Sequence, residues 1–204
     1  MLPRTVLMSS FFFLLAFVTC TSVPTTPTSP DENATEFIRA RCGGTRYPDL
    51  CYTSLSGYAA AVHHSPLKLA RVATNVTLAR LRALCSHVSA LRRARGAGHV
   101  ATTLRDCADE LGDAAYQSFY AYRTTTELRG LESVEEPEVA WWVSSAQTWM
   151  SAALTYEGTC SDGFQNVDSG GTSSVEADVC RRVGKVKQYT SNALALVNGL
   201  VDGR

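Results

Sequence analysis

Six cysteines outside the N-terminal apolar stretch, four histidines and scattered carboxylates are the side chains here that could do chemistry. Histidine changes charge nearest neutral pH, so it is the first candidate for acid–base or metal work. His63 and His64 are adjacent, point in two directions from one helix and cannot chelate as an i,i+4 pair does. His87 lies on a helical face and reads as packed or solvated. Neither it nor His99 is read as catalytic. No Cys-x-x-Cys occurs and no His stands near a Cys pair at zinc spacing, so no metal site is expected.

Asp168-Ser169-Gly170-Gly171 has the residue types of a serine-nucleophile loop. It lacks the preceding Gly and the following Pro, and no matching His segment or β-barrel pattern precedes it. It is read as a loop before a helix. The chain has no Gly-x-Ser-x-Gly elbow, phosphate-binding loop or dinucleotide fingerprint, so neither a cofactor nor a hydrolase is expected. Trp141, Trp142 and Trp149 are read as packing residues, with Trp141 a possible partner contact.

The elements that position these residues follow from composition and periodicity. Of 204 residues, 45% are hydrophobic and 19% charged, with 19 Lys plus Arg against 19 Asp plus Glu. That excludes a disordered chain. The neutral balance offers no overall attraction for nucleic acid or an anionic membrane. Arg4 precedes an apolar run of 13 residues, Val6–Val18, followed by Thr19, Cys20, Thr21 and Ser22. A bilayer span needs about 20 apolar residues, so residues 1–22 are read as a secretory signal peptide and not an anchor. Residues 23–35, with Pro24, Pro27 and Pro30, are read as a Pro/Thr/Ser-rich linker. Asn33 and Asn75 head glycosylation sequons. Cys20 leaves with the signal peptide. The remaining Cys42, Cys51, Cys85, Cys107, Cys160 and Cys180 allow fifteen pairings, and spacing alone does not choose among them.

The body, residues 36–204, reads as one all-α domain. Ser65-Pro66 starts a helix, whose series runs Leu67, Ala70, Thr74, Leu78, Leu81, Cys85, Val88 and Leu91. Gly96-Ala97-Gly98 ends it. A second series runs Leu104, Cys107, Leu111, Ala114, Ser118, Tyr122 and Thr125, until Gly130 to Pro137 interrupts. A third runs Val139, Val143, Ala146, Met150, Ala153 and Tyr156, and is expected to stop at Gly158. A loop is expected over Ser161–Gly171, then a capping box Ser173-x-x-Glu176 and a fourth series from Val175 to Leu200. These steps of three and four predict four helices, in an antiparallel up-down-up-down four-helix bundle over 65–204. Residues 36–64 form a helical hairpin, which a local Cys42–Cys51 bridge would tie. Its apolar Phe37, Ile38, Leu50, Tyr52, Leu55 and Tyr58 need cover from the bundle or from another molecule, so a homodimer through the hairpin is one expectation.

Four ordered blocks carry a family resemblance. They are Phe37-Ile38-x3-Cys42-x2-Thr45-Arg46-Tyr47-Pro48-x2-Cys51-Tyr52-x2-Leu55, then Leu104-Arg105-Asp106-Cys107-x2-Glu110-Leu111-Gly112-Asp113-Ala114. The third is Ala146-Gln147-Thr148-Trp149-Met150-Ser151-Ala152-Ala153-Leu154-Thr155-x3-Thr159-Cys160-x2-Gly163-Phe164, and the last is Thr190-Ser191-Asn192-Ala193-Leu194-Ala195-Leu196-Val197-Asn198. Over residues 36–201 the chain resembles the plant invertase/pectin methylesterase inhibitors. The resemblance implies a disulfide-stabilised four-helix bundle behind a helical hairpin, with bridges Cys42–Cys51 and Cys107–Cys160. Cys85 and Cys180 are left over, free or paired with each other.

It also implies a stoichiometric inhibitor of a cell-wall enzyme, secreted to the apoplast, without cofactor or metal. The Pro-Lys-Phe motif of invertase inhibitors is absent, and the Ala-Gln-Thr-Trp and Ser-Asn-Ala-Leu-Ala blocks lean towards pectin methylesterase as partner. Acid invertase is the alternative target, and a helical ligand carrier a more distant one. The same domain also occurs ahead of a pectin methylesterase; with the chain ending at Arg204, a stand-alone inhibitor is expected. Carried over by position, Asp109 and Asp113 match acidic contact positions, Tyr116 replaces an acid, Thr159 matches a contact threonine and Asp162 follows it. Spacing independently sets Asp109, Asp113, Tyr116 and Tyr120 on a face apart from Cys107, Leu111, Ala114 and Ser118. Carboxylates at such an interface would make binding depend on pH.

Overall fold

A computed structural model describes residues 30–95, 98–128, 136–165 and 174–201. The signal-peptide segment, Gly96-Ala97, Gly130 to residue 135, Asp168–Gly171 and the Ser173 cap lie outside the described residues. The described residues form helices joined by turns, with no strand among them. Helices α1 (Pro30–Gly43) and α2 (Pro48–Leu55) lead through a 3₁₀ turn at Ser56–Tyr58 into the short α3 (Ala59–Val62). Four long helices follow: α4 (Pro66–Arg95), α5 (His99–Glu127), α6 (Glu136–Gln165) and α7 (Ser174–Asn198).

Helix α1 begins inside the segment read as a linker. Pro30 suits the first position of a helix. Ala34 and Ile38 then supply a buried face one turn apart, so burial extends the helix over residues that composition assigns to solvent. Tyr47, at φ −129° and ψ 71°, turns the chain into α2 and stays out of the helical region, which the following Pro48 disfavours. The Cys42–Cys51 bridge ties the two helices. Asn192 of α7 holds the same turn: Tyr47 N–H donates to Asn192 Oδ1 at 3.1 Å, and Asn192 Nδ2 donates back to Tyr47 O at 2.9 Å. Most of the hairpin's apolar side is covered from within. Ile38 and Leu55, with Val62, join a buried cluster with Leu69, Met150 and Val197 of the bundle, and Phe37 and Tyr52 pack against it, so those residues need no partner, whereas Tyr58 is 44% exposed.

His63, at φ 52°, reverses the chain into α4. There Ser65 Oγ accepts from Lys68 N–H at 3.3 Å as the expected cap. The long helices pack in a ring, each against its chain neighbours, with α7 closing on α4. Cys107 near the start of α5 bridges Cys160 near the end of α6, and Tyr120 late in α5 meets Trp149 midway along α6. Those pairings make α5 and α6 antiparallel. Arg80–Tyr189 and His87–Asp178 do the same for α4 and α7.

Two apolar clusters fill the ring. One lies at the hairpin end; the other holds Leu81, Leu104, Leu111, Phe164, Val179 and Val183. Between them along the helices come Thr74 and Thr77, Ser118, and Thr190, all buried. Thr74 and Thr77 donate to carbonyls within their own helices, which is how a hydroxyl is tolerated in a core.

Helix α6 does not stop at Gly158. It continues to Gln165, so residues 161–165 of the expected loop are helical and the rest of it lies outside the described residues. A mid-helix glycine costs only about 1 kcal/mol. Beyond it Cys160 is bridged and Phe164 is buried, contacts a broken helix would lose. The inward residue at this turn is Glu157, fully buried, and not Tyr156. Thr190 Oγ1 donates to Glu157 Oε1 at 2.5 Å, while Oε2 has no partner. Burial pushes the Glu157 carboxyl up to about 8, against the smaller opposing pull of the Thr190 hydrogen bond and the Lys187 charge.

Candidate functional site

Helix α5 buries Leu104, Cys107, Leu111, Ala114, Ser118 and Ala121. The 3.6-residue period therefore sends Asp109, Asp113 and Tyr116 outward, and all three are exposed. Tyr116 is 56% exposed, high for an aromatic side chain that has a core to enter. It stands edge-on to Tyr120, with ring centroids 4.7 Å apart and hydroxyls 3.0 Å apart. Tyr120 in turn leans on Trp149 of α6 at 5.5 Å. An aromatic ladder thus climbs from α6 out to an exposed phenol.

Beside the ladder lies an acidic cluster. Glu110 sits on the same helix as Asp106, Asp109 and Asp113, and its pKa is raised, first by burial and then by the charges of Asp113, Asp106 and Asp109. Arg105 reaches Asp106 at 3.4 Å as a partial counterweight. In the sequence Glu110 stands in the second of the four family blocks, but nothing there singles it out as a site residue.

Thr159 and Asp162 come from α6, and both are exposed. The Cys107–Cys160 bridge, with Cα atoms 4.2 Å apart, pins Thr159 at the level of Asp109. The structure so brings Asp109 and Thr159 to one end of a two-helix face. Asp113 and Tyr116 continue it along α5, while Asp162 lies one turn further along α6. The α6 side of this face is a row of hydroxyls: Ser145, Thr148, Thr155 and Thr159 each donate to a carbonyl one turn back. Each keeps acceptor capacity facing outward. Ser and Thr recurring every three or four residues was the available signal, and only Thr159 was singled out. Trp141, 61% exposed, ends the same row.

Other sequence-stated positions lie away from this face. Asn33 on α1 and Asn75 on α4 are exposed. Cys85 and Cys180 are both free. Cys180 Sγ faces the Ser161 carbonyl of α6 at 4.0 Å, and burial raises both thiols. Among the described residues no group of three His, Cys, Asp or Glu could hold a metal ion, and no helix is long and apolar enough to cross a membrane.

The family model for plant invertase/pectin methylesterase inhibitors matches residues 36–196. The chain belongs to that family. It is 35% identical over 192 residues to pectinesterase inhibitor 11 of Arabidopsis thaliana, covering 92% of this chain and 93% of that protein. It is 33% identical over 196 residues to pectinesterase inhibitor 9 of the same plant, covering 94% of each. A 21 kDa protein of Daucus carota is 34% identical over 166 residues, 81% of this chain and 83% of its own. The crystal structure of a mutant form of an Arabidopsis pectin methylesterase inhibitor superposes with a TM-score of 0.58 at 18% identity, over 77% of this chain and 92% of that one. That likeness fixes the fold as the family's. Members of the family are inhibitor proteins and not catalytic enzymes.

Proposed function

We propose that this protein is a secreted inhibitor of pectin methylesterase. It presents the α5–α6 face to the enzyme's pectin-binding cleft in a one-to-one complex and so sets how much wall pectin is de-esterified. The observation that carries the reading is the face itself. Two helices locked by Cys107–Cys160 display exposed carboxylates, an outward phenol and a hydroxyl row. A face already rigid loses little entropy on docking, and Tyr side chains are favoured anchors.

Secretion to the apoplast follows from the reading of residues 1–22, and the exposed Asn33 and Asn75 suit glycosylation on that route. Most of the hairpin's apolar side is covered by its own bundle, which favours a single copy over a dimer through α1 and α2. The family description also includes invertase inhibitors, so acid invertase is the competing target. Titrating the mature chain against pectin methylesterase and acid invertase in parallel separates them. Saturable inhibition of the first near equimolar ratio, with little effect on the second, is expected. Inhibition of invertase alone would reverse the assignment.

A further inference from the structure

The zero net charge of the chain conceals a division between its halves. Helix α4 holds seven Lys or Arg and no acid, and α7 holds four against two. Helix α5 holds two against five acids, and α6 none against four. The α4–α7 half therefore carries eleven cations against two acids, and the α5–α6 half two against nine, one of which is the buried Glu157. The acidic half bears the face assigned above to the enzyme. The basic half has no role in that reading.

That basic half is also grooved. A surface trough of about 690 Å³ runs between α4 and α7, lined by Arg80, His87, Arg181, Arg182, Lys185 and Tyr189 among others. Asp178 accepts from Arg181 and Arg182 and pairs with His87 Nε2 at 2.8 Å. Those partners, Arg182 first and His87 next, hold its pKa below the usual carboxylate range. One ionised acid thus orients several donors without cancelling them. The Arg80 guanidinium stands 5.3 Å above the Tyr189 ring. Lys185 and Gln188 also line a second trough of about 480 Å³ reaching Arg46, Tyr47 and the acid Asp49 of the hairpin. The two share a wall and extend one path from the middle of the bundle to the α1–α2 turn.

We propose that this trough binds a carboxylated polysaccharide, the de-esterified galacturonan chain that the inhibited enzyme produces. The choice of substrate class rests on the proposed function; the existence of an anion-binding trough does not. An open trough lined along a helix suits a linear chain better than a compact ligand. Arg181 and Lys185, one turn apart, repeat positive charge at a spacing of about 6 Å. A uronic acid chain repeats one carboxylate per ring, at a spacing of the same order. Tyr189 and Tyr47 offer ring faces on which sugar C–H groups stack, and Gln188 offers an amide to hydroxyls. A methyl-esterified chain has no charge to meet the cations. The trough so distinguishes product from substrate of the target enzyme, and anchors the inhibitor where de-esterification has already occurred.

The test uses the mature chain with soluble polygalacturonate, fully methyl-esterified galacturonan and heparin, in binding titrations at low and raised salt. Saturable binding to polygalacturonate is expected, weakening with salt and absent for the methyl ester. The variant Arg80→Gln, Arg181→Gln, Lys185→Gln, all at exposed positions, should bind about tenfold more weakly at low salt, the scale of three screened charges. It should inhibit pectin methylesterase as wild type does, which also shows that it folds. Equal binding of the methyl ester, binding to heparin alone, an unchanged affinity in the variant, or concentration-dependent self-association that the variant abolishes would each overturn the proposal. A chain that binds polygalacturonate yet inhibits no pectin methylesterase would leave the trough standing and sink the functional reading.

Discussion

Single side chains divide into those that meet a partner and those that hold the bundle. Asp113 is exposed and is among the charges that raise the Glu110 pKa. On the proposed docking, replacing it by Ala removes a partner hydrogen bond without opening a cavity. A loss in enzyme affinity of about 1 to 3 kcal/mol is expected, the range for a bond to a charged group. The melting temperature should barely move, since exposed substitutions stay within about 0.5 kcal/mol. Titration beside a thermal melt reads both. Glu157 is the opposite case. Its carboxyl is raised to about 8 in the fold, from 4.5 when unfolded. The folded state then keeps a proton that the unfolded chain gives up, so stability is full below about pH 4.5 and is lost as pH rises towards 8. Glu157→Gln should match wild type near pH 4 and become progressively more stable than it by pH 8, by up to a few kcal/mol. Parallel pH profiles in which the difference stays constant would show that Glu157 does not titrate this way. Asp109 and Asp113 were legible from spacing because an exposed stripe follows directly from the helical period. Glu157 was not, because Gly158 beside it suggested a helix end, and only tertiary burial shows that the helix continues.

At the scale of elements, the four long helices were legible in their apolar periods, and the cap at Ser65 in local chemistry. The start of α1 and the end of α6 were missed for one reason. In both places local composition favours solvent, while distant packing through Ile38 and through Cys160 and Phe164 holds the helix. The Cys107–Cys160 bridge spans 53 residues of sequence, and chain entropy gives such a loop about 4 kcal/mol. Cys107→Ala with Cys160→Ala should lose stability on that scale in a denaturant melt. It should also weaken inhibition, because the α5–α6 face loses its pin. Asn192→Ala should cost about 1 to 3 kcal/mol by leaving both polar groups of Tyr47 without their partner. Amide exchange should speed at the hairpin turn and not at the far end of the bundle. Uniform acceleration would mean that the hairpin and bundle unfold as one.

The molecule as a whole sets two surfaces of opposite charge on one bundle. The resemblance of four short blocks was enough to anticipate bundle, hairpin and both bridges, since those residues are the ones the packing uses. The charge division was not anticipated, because net composition sums over helices that folding sets on opposite sides. The two proposals use that separation: the acidic α5–α6 face is assigned to the enzyme and the basic α4–α7 trough to the wall. The most direct measurement is a calorimetric titration of pectin methylesterase with the mature chain and with the variant Asp109→Ala, Asp113→Ala, Tyr116→Ala. One-to-one binding by wild type is expected, with affinity at least about a hundredfold lower in the variant, the sum of two or three lost contacts. Unchanged affinity in a variant that melts like wild type would contradict the account and place the inhibitory surface elsewhere on the bundle.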